Sequence, residues 1–415
     1  MVIVGAGFGG LRVAQGLRGA PVRVTVIDRH NYHTFVPLLY QVATAGLEPE
    51  EIAQPVRRIL RGARNAGFRL ATATGVDLER RRLLTDGGEL AYDYLVLAAG
   101  SATNYFGLDS LAETAAALRD LDDAEHLRDR VLSAFEAAAV ADDPQRRREL
   151  MTVVIVGGGP TGVELAGALA ELRRHVLPDD YPDLDPASAR ILLLEATGRI
   201  LPGMPRRLQA KAQSKLRELG VELVLDAPVG DADKDGVTLR SGERIAAGVV
   251  VWVAGVRAVP LAEALPGDTG ANGRVPVSET LQLSGYPEVY VIGDMAHVGG
   301  PEARPHPMMA PVAIQQGTLV AENIRRSLEG RPAKRFVYKD RGSMATIGRA
   351  AAVAHIYGVQ LSGFVAWIVW LTVHLIWLIG FRNRLLVLIN WGWNYLTYER
   401  AVRLIRGGYS GPERR

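Results

Sequence analysis

The chain of 415 residues contains no cysteine. This absence excludes a disulfide redox centre, a thiolate nucleophile and any metal or iron–sulfur site with cysteine ligands. A large excess of one charge is also lacking. The 48 basic and 45 acidic residues leave a net charge of +3, which is too small to favour nucleic-acid binding. The first residues show no signal-peptide pattern, so we expect a cytoplasmic protein unless a later segment anchors it.

The chain does contain an ordinary share of hydrophobic (48%) and charged (22%) residues, which suits a sizeable core. At roughly 100–200 residues per domain, its length allows two or three domains. Short apolar runs typical of buried strands occur twice in the same arrangement, at residues 2–4, 22–27 and 94–98 and again at 152–156, 191–194 and 249–253. Helix-compatible segments between them predict an α/β fold with parallel sheets, and the restart predicts a duplicated plan.

Residues 5–10 (GAGFGG) form a glycine-rich loop directly after the first predicted strand, and a helix-compatible run follows. In this G-x-G-x-x-G pattern, Gly5 permits the tight turn, Gly7 lets the backbone approach a pyrophosphate, and Gly10 allows close helix–strand packing. The helix N-terminus then offers its N–H groups to the phosphates. Asp28 ends the next strand, where a carboxylate accepts hydrogen bonds from ribose hydroxyls. A simple helix cap is the alternative role for Asp28.

Residues 157–162 (GGGPTG) repeat this spacing after another predicted strand. Pro160 suits the first turn of a helix, where its missing N–H costs nothing. Glu195 ends the following strand, beyond an insert rich in Pro and Asp. An acid there accepts a hydrogen bond from a free ribose 2′-hydroxyl and repels a 2′-phosphate, which favours NADH over NADPH. Arg199 is a nearby group that would instead accept a phosphate.

The two glycine loops together predict two bound dinucleotides, one a nicotinamide donor and the other a flavin placed to receive its hydride. Two nucleotide domains that never meet are the alternative, and the order of the motifs disfavours it.

The C-terminal part is much more apolar. Residues 363–381 are almost entirely Trp, Val, Leu, Ile and Phe, residues 382–384 (RNR) interrupt the run, and a second Trp- and Tyr-rich stretch covers residues 385–398. The first run has the length of a spanning helix, about 17–25 residues. Basic residues flank it on both sides, so a single span would place one basic cluster on the wrong side. We therefore predict a monotopic anchor. A dimer interface or a core helix pair is the alternative.

Further motifs carry a family resemblance. Residues 97–101 and 252–256 resemble the A-T-G-like loops that close nucleotide domains, and residues 280–294 resemble the late T-x-x-x-x-V-Y-A-x-G-D motif of two-dinucleotide flavoproteins. Within that superfamily the chain resembles the type II NADH dehydrogenases, the single-subunit NADH:quinone oxidoreductases. Five segments support this resemblance, at residues 28–43, 101–107, 162–164, 310–317 and 340–348.

The resemblance implies an α/β fold with two Rossmann-like dinucleotide-binding domains and a C-terminal membrane-associated helical segment. The FAD-binding domain would comprise residues 1–110 and 263–330, the NADH-binding domain 111–262, and the membrane-anchoring segment 331–415. FAD would be the cofactor and NADH the substrate. Electrons would pass from NADH through FAD to a membrane quinone without proton pumping, at the cytoplasmic face of the membrane. A homodimer stays open, and no metal is expected.

The resemblance also implies three sets of binding residues. The FAD set is Gly5, Gly7, Phe8, Gly9, Gly10, Leu11, Asp28, Arg29, His33, Val76, Ala99, Gly100, Asp294, Ala310 and Pro311. The NADH set is Gly157, Gly159, Pro160, Thr161, Gly162, Glu164, Glu195, Ala254 and Gly255. The quinone set is Ala313, Gln315 and Gln316.

Glu164 is the predicted catalytic residue, expected in the first turn of the helix after the second glycine loop. The resemblance places it where nicotinamide, flavin and quinone meet, so that it would relay protons or hold the nicotinamide amide. The alternative is an acid that stabilises a helix N-terminus by about 0.3–1 kcal/mol. His33 and Tyr40 are further candidates for the flavin or quinone path, with a structural role as the alternative. For His374, in the apolar run, we favour a snorkelling or helix-packed neutral ring over a functional one.

Pro311 departs from the family pattern A-Q-x-A-x-Q-Q, because it stands where that pattern has its first Gln. Any hydrogen bond from that Gln to flavin or quinone is therefore absent, while Gln315 and Gln316 remain. The lack of cysteine separates the chain from the related disulfide reductases and sulfide:quinone oxidoreductases, which require cysteine pairs.

Two other functions stay open. One is a soluble NAD(P)H-dependent reductase of a small electron-carrier protein, which the apolar C-terminus disfavours. The other is a redox-sensing protein that binds FAD and NADH without turnover.

Overall fold

A computed structural model describes residues 1–185, 188–299, 304–397 and 402–407. The chain divides into two compact units. Unit 1 is Met1–Thr34, Ala53–Ala102 and Val256–Asp340, and unit 2 is Phe35–Ile52, Thr103–Gly255 and Arg341–Arg415. The predicted domain boundaries stay a prediction, because compactness does not show what each part binds. Helices and strands are numbered below along the whole chain.

Unit 1 is mostly strand. Its helices are α1 Phe8–Gly16, α4 Val56–Ile59 and α11 Ala310–Leu328. Its strands are β1 Val2–Val4, β2 Val24–Asp28, β3 Tyr32–Thr34, β4 Ala53–Pro55, β5 Ala66–Leu70, β6 Ala73–Asp77, β7 Arg82–Thr85, β8 Gly88–Ala91, β9 Leu95–Leu97, β18 Val256–Ala258, β19 Val275–Val277, β20 Gln282–Leu283, β21 Tyr286–Val291 and β22 Ala296–Val298. Strand β10 (Ser101–Thr103) follows β9 along the chain.

An eight-stranded sheet forms the centre of unit 1, in the order β22-β19-β20-β21-β9-β1-β2-β5. The neighbours of β1 and β2 run parallel to them, as does β21 to β9, while β20 is antiparallel to both of its neighbours. All three residues of β1 are buried, as expected for a strand covered on both faces. The predicted strand at 22–27 begins later, at Val24, because the Val22 N–H donates to Ala20 in a turn.

Unit 2 is richer in helix. Its helices are α2 Leu39–Ala43, α3 Pro49–Ile52, α5 Asp109–Thr114, α6 Leu121–Ala139, α7 Pro144–Leu150, α8 Pro160–His175, α9 Leu177–Asp180, α10 Arg206–Glu218, α12 Phe364–Trp377 and α13 Phe381–Thr397. Its strands are β11 Thr152–Val156, β12 Arg190–Leu194, β13 Val221–Val224, β14 Val229–Asp233, β15 Gly236–Leu239, β16 Arg244–Ala246, β17 Val249–Trp252, β23 Ser343–Thr346, β24 Ala352–Ile356 and β25 Val359–Gly363.

A four-stranded parallel sheet lies at the centre of unit 2, in the order β13-β12-β11-β17. Strand β11 lies between β12 and β17, as β1 lies between β2 and β9 in unit 1. In both units a buried first strand leads into a glycine loop and then a helix. The predicted α/β class and the duplicated plan are therefore confirmed.

The C-terminal apolar region forms two helices, α12 and α13, and the break between them lies at a different position from the predicted one. The charges at residues 382–384 predicted an interruption there, and this prediction is wrong. These residues lie in the first turn of α13. The chain turns at 378–380, where Gly380 takes a left-handed φ of +94°. The Arg384 guanidinium donates to the carbonyls of Leu378 and Ile376, so a charged side chain satisfies the end of α12. Tyr398 lies outside the described residues.

In the part of the chain that the structure describes, no helix has both the length and the apolar character needed to cross a bilayer.

Candidate active site

The first glycine loop has the backbone shape that a pyrophosphate requires. Gly5 has a φ of +102°, and a Cβ there would lie 2.2 Å from the Ala98 carbonyl oxygen. A Cβ on Gly10 would lie 1.9 Å from the Gly5 oxygen, whereas one on Gly7 would meet no atom within 4 Å. Gly7 precedes α1 and caps it without any side-chain hydrogen bond. The loop is thus crowded where the helix meets the strand and open at the helix N-terminus, which suits an anionic ligand.

Asp28 is bound to this loop. One carboxylate oxygen accepts from the Ala6 N–H at 2.6 Å and the other from the His30 N–H at 2.9 Å. Neither donor belongs to a helix, so the alternative role as a simple helix cap is wrong. His33 supports the loop from another side, because its Nδ1 lies 2.9 Å from the Ala6 carbonyl and its ring meets Phe8 edge-on at 5.0 Å. Burial lowers the pKa of His33, which favours the neutral ring.

The other residues of the predicted FAD set also lie in unit 1. The Asp294 carboxylate accepts from the Ser101 hydroxyl at 2.5 Å, just beyond the end of β9. Ala99 and Gly100 follow β9 directly, and Leu11 is a buried residue of α1.

The remaining residues of the predicted FAD set differ in exposure. Val76 is partly buried and packs against the core of unit 1, whereas Arg29 is exposed. Ala310 and Pro311 begin α11, where the missing N–H of Pro311 removes no helical hydrogen bond.

The predicted quinone set lies on the first turns of α11. The Gln316 side chain is buried, and its Oε1 accepts from the Gly293 N–H at 2.6 Å. Gln315 exchanges two hydrogen bonds of 3.0 Å with the backbone of Lys339. The Ala313 carbonyl oxygen lies close to Gly9, because a Cβ added to Gly9 would be 3.4 Å from that oxygen. Both glutamine side chains therefore contribute to holding α11 and its neighbours in place.

The second glycine loop repeats the first in unit 2. Gly157 has a φ of +119°, and a Cβ on Gly162 would lie 1.9 Å from the Gly157 oxygen. Gly159 has open space around it and caps α8 without a side-chain hydrogen bond. The Glu195 carboxylate accepts from the Gly158 N–H at 2.8 Å, as Asp28 does from Ala6. An acid thus orders the middle of both glycine loops.

The other predicted NADH residues lie beside this second loop. Pro160 and Thr161 form the first turn of α8, and Ala254 lies against Gly157, with its Cα 2.6 Å from an added Cβ. The Gly255 carbonyl accepts from the Asn104 N–H at 3.1 Å, which fastens the loop after β17.

Glu164 is the fifth residue of α8 and lies at the start of its second turn, not in the first turn as predicted. Its side chain is buried, and Oε1 accepts from the Thr346 N–H at 3.3 Å and from the Trp370 indole N–H at 3.2 Å. Burial raises the pKa of Glu164 to about 8, while these two hydrogen bonds lower it. The hydrogen bonds of this carboxyl reach β23 and α12, and burial works against a charge there, which disfavours the alternative role at the helix N-terminus.

Thr346 and Trp370 are the two partners that sequence reasoning missed. They are 182 and 206 residues away from Glu164 along the chain, and no spacing rule joins positions so distant. Thr346 does lie in segment 340–348, which carries the family resemblance, and Trp370 lies in the apolar run, but neither position by itself indicates contact with a carboxyl group.

Unit 2 contains a groove with about 800 Å³ of empty space, which includes open solvent, and the two hydrogen-bond partners of Glu164 line it. Thr346 and Trp370 form part of its wall, together with the aromatic side chains of Tyr40, Trp391 and Tyr395. His374 is neutral, as favoured from the sequence, because burial lowers its pKa to about 4. Its ring stacks on Trp370 with centroids 4.0 Å apart. Among the residues that the structure describes, no group of acidic and histidine side chains could hold a metal ion.

Two family descriptions match the chain. The pyridine nucleotide-disulphide oxidoreductase family matches residues 1–317, and the NDH2 C-terminal domain matches residues 341–398. The type II NADH:quinone oxidoreductase Ndh of Mycobacterium tuberculosis is 43% identical, over 97% of this chain and 89% of that protein. The chain belongs to the type II NADH:quinone oxidoreductases.

Other members of the family agree with this assignment. The type II NADH:quinone oxidoreductase NdhA of the same organism is 39% identical over 98% of this chain and 89% of its own length. The structure of NDH2 from Plasmodium falciparum in complex with NADH has the same fold, with a TM-score of 0.88, 20% identity and coverage of 97% of this chain and 99% of that one. The resemblance stated from the sequence motifs is thereby confirmed.

Proposed function

We propose that this protein is a FAD-dependent NADH:quinone oxidoreductase that does not pump protons. The observation that carries the proposal is the pair of glycine loops, each closed by an acid and each opening at a helix N-terminus, in a chain of this family. NADH and one proton reduce a quinone to the quinol, leaving NAD⁺. FAD, when bound, takes up the hydride and passes both electrons on to the quinone.

The FAD site is proposed at the first glycine loop. The crowding at Gly5 and Gly10 and the open space at Gly7 fit a pyrophosphate at the N-terminus of α1. Asp28 has carboxylate oxygens already held by backbone N–H groups, so it is oriented to accept from a ribose hydroxyl. Asp294, fixed by Ser101, would bind the ribityl chain. The rest of the predicted FAD set belongs to the same proposal.

The NADH site is proposed at the second glycine loop, with Gly159 facing the pyrophosphate and Glu195 facing the adenosine ribose. Glu195 also accepts from the Thr197 N–H at 2.9 Å, so its carboxylate is held in place before any ligand binds. A fixed negative charge there disfavours the 2′-phosphate of NADPH.

Glu164 is proposed as the proton donor for quinone reduction. Because burial raises the pKa of Glu164 to about 8, this carboxyl holds a proton at neutral pH. A group with a pKa near the working pH is well suited to general acid catalysis. The predicted quinone set, Ala313, Gln315 and Gln316, is a separate proposal for unit 1.

Attachment to the cytoplasmic face of the membrane is proposed for α12 and α13. Helix α13 directs polar side chains inward: Asn383 donates to the Glu50 and Glu51 carbonyls, and Asn394 donates to the Gly46 carbonyl. Beyond its first turn, where Arg382 and Arg384 are exposed, most of its exposed side chains are apolar. The large exposed apolar residues of α13 are Phe381, Leu385, Leu388, Ile389, Trp393 and Leu396. Exposed residues on α12 add to this surface, namely Phe364, Val365, Ile368 and Ile376. A helix that is polar inside and apolar outside fits a lipid layer better than water.

A flavin bleaching experiment tests the proposed function. Anaerobic addition of NADH to the purified flavoprotein should bleach the flavin absorbance, and a short-chain quinone should restore it. Glu164→Gln should still bleach with NADH but recover about a hundredfold more slowly with quinone. Recovery with a small electron-carrier protein but not with any quinone would establish the soluble reductase function instead. Bleaching with no recovery by either acceptor would leave the redox-sensing function.

A further inference from the structure

Trp370 is the buried indole of α12, and only 1% of it is exposed. Its N–H donates to Glu164 Oε1, which also accepts from the Thr346 N–H. In the described part of the chain, the hydrogen bonds to the Glu164 carboxyl all reach this one oxygen. The two oxygens of Glu164 are thus in different surroundings.

This asymmetry decides which oxygen carries the proton. A protonated carboxyl has one O–H donor, and its carbonyl oxygen accepts N–H groups more strongly than its hydroxyl oxygen does. Two N–H groups directed at Oε1 keep it in the acceptor role. The two bonds therefore favour Oε2 as the oxygen that carries the proton of neutral Glu164.

The indole is itself held rigidly. The ring of His374 stacks on it at an angle of 25°, while the rings of Tyr40 and Trp391 meet it at 6.3 and 5.9 Å. His374 Nδ1 lies 2.7 Å from the Trp370 carbonyl, so Nδ1 donates to that oxygen. Three aromatic rings thus hold the indole and with it the direction of the Trp370 N–H.

We infer that Trp370 is a positioning residue for proton delivery, which holds the Glu164 carboxyl so that Oε2 gives its proton to the quinone. This inference rests on the proposed function of Glu164. Trp370 contributes no proton of its own, since an indole N–H is a donor that does not titrate in the working range.

Several ionisable groups lie near the two hydrogen-bond partners of Glu164. Glu171 and His175 of α8, Tyr40 of α2 and Arg349 after β23 line the groove that Thr346 and Trp370 also line, and His374 of α12 stacks on Trp370. In the described structure, the pKa of Glu164 reflects burial and the two hydrogen bonds, with no charged group among its causes. Because the indole bond favours the carboxylate, its loss raises the pKa of Glu164 further.

The test is a pH titration of Glu164 in the FAD-loaded protein, followed by the infrared C=O stretch of its protonated carboxyl. Glu164→Gln identifies the band by removing it. In Trp370→Phe the ring remains but the N–H is lost, so the midpoint should rise by roughly 0.5–1 pH unit, a threefold to tenfold gain in proton affinity. Trp367→Phe, one turn away on α12, is the matched control and should leave the midpoint unchanged.

A second measurement needs no substitution at Trp370. Incorporating 5-fluorotryptophan at all six tryptophans strengthens the indole N–H as a donor and keeps the native packing. The Glu164 midpoint should then fall, and in fluorinated Trp370→Phe it should not. An unchanged midpoint in both Trp370→Phe and the fluorinated protein overturns the inference.

Kinetics separate this inference from the proposed function. In Trp370→Phe, quinone reduction should decline with rising pH at the higher midpoint, while flavin bleaching by NADH keeps its rate. If the infrared midpoint moves but the wild-type protein reduces no quinone, the indole positions Glu164 and the proposed function is wrong. If quinone is reduced and the kinetic midpoint of Trp370→Phe stays that of the wild type, Trp370 does not position the proton.

Discussion

The carboxyl group of Glu164 lies in surroundings that favour its neutral form over its ionised form. Full burial raises its pKa, and two hydrogen bonds to one oxygen only partly offset that effect. Folding therefore favours the protonated acid, whereas the unfolded chain ionises near the ordinary pKa of 4.5. At the scale of single residues, this difference between folded and unfolded chain leads to a measurable pH dependence.

Stability should fall between pH 4.5 and about 8 because of this residue. Across that window the unfolded chain releases a proton that the folded chain keeps, which costs up to about 1.4 kcal/mol for each pH unit. Glu164→Gln has no proton to release, so its free energy of unfolding should decline less over the same range. Urea unfolding at several pH values measures the difference between the two proteins. If the free energy of unfolding changed with pH equally in the wild type and the variant, the raised pKa of Glu164 would be contradicted.

Glu195 should set the preference for NADH. Replacing it with Ala removes the charge that repels a 2′-phosphate, and it also removes the hydrogen bond to the ribose of NADH. The ratio of kcat/KM for NADH over kcat/KM for NADPH should therefore fall about tenfold or more. Steady-state rates with both nucleotides measure this ratio.

Glu222→Ala is the matched control for Glu195→Ala. It removes an exposed acid from neighbouring β13 that pairs with Arg190. The nucleotide preference should be unchanged, and an equal loss of preference in both variants would argue against a ribose contact for Glu195.

At the scale of elements, α13 shows how composition alone misleads about a helix. Its charged residues at 382–384 suggested an interruption, yet Asn383 is buried and Arg384 caps the preceding helix. Which side of α13 faces the protein depends on partners in the segment 46–51, which is distant in sequence. Tertiary contacts therefore decided the helix boundary, and the outward apolar surface follows from them.

Substitution on the outer side of α13 should weaken lipid binding without unfolding the protein. Leu388 is 52% exposed, and Leu388→Glu places a charge where a leucine would enter the lipid layer. Losing the burial of one leucine, about 1.5–3 kcal/mol, lowers the affinity for vesicles about tenfold or more. Flotation with vesicles of anionic phospholipid measures the bound fraction.

Val140→Glu is the matched control for this experiment, because Val140 is also an exposed apolar residue of unit 2 but follows α6. It should bind vesicles as the wild type does. If Leu388→Glu binds vesicles normally and instead changes the oligomeric state, the outer side of α13 is a dimer interface.

At the scale of the whole molecule, the two glycine loops belong to separate compact units and should lose their ligands separately. Gly10→Ala and Gly162→Ala are equivalent changes, because each added Cβ would lie 1.9 Å from a backbone oxygen of its own loop. Gly10→Ala should lose FAD and keep NADH binding, and Gly162→Ala should do the reverse, each with at least about tenfold weaker binding of its own ligand.

Bound flavin per protein and the calorimetric affinity for NADH measure these two effects. Loss of both ligands in either variant would show that the loops do not act separately, or that the substitution unfolds the protein. A circular dichroism spectrum matching the wild type excludes the second cause.

The sequence by itself determined the α/β class, the duplicated plan, both glycine loops and their acids Asp28 and Glu195. These follow from local rules, since a tight turn needs glycine at given positions and a buried parallel strand needs an unbroken apolar run. Only the tertiary structure decided the break between α12 and α13, the outward direction of their apolar residues, and the partners of Glu164. Trp370 and Thr346 reach that carboxyl from far along the chain, and its pKa depends on burial among them, which no local pattern encodes.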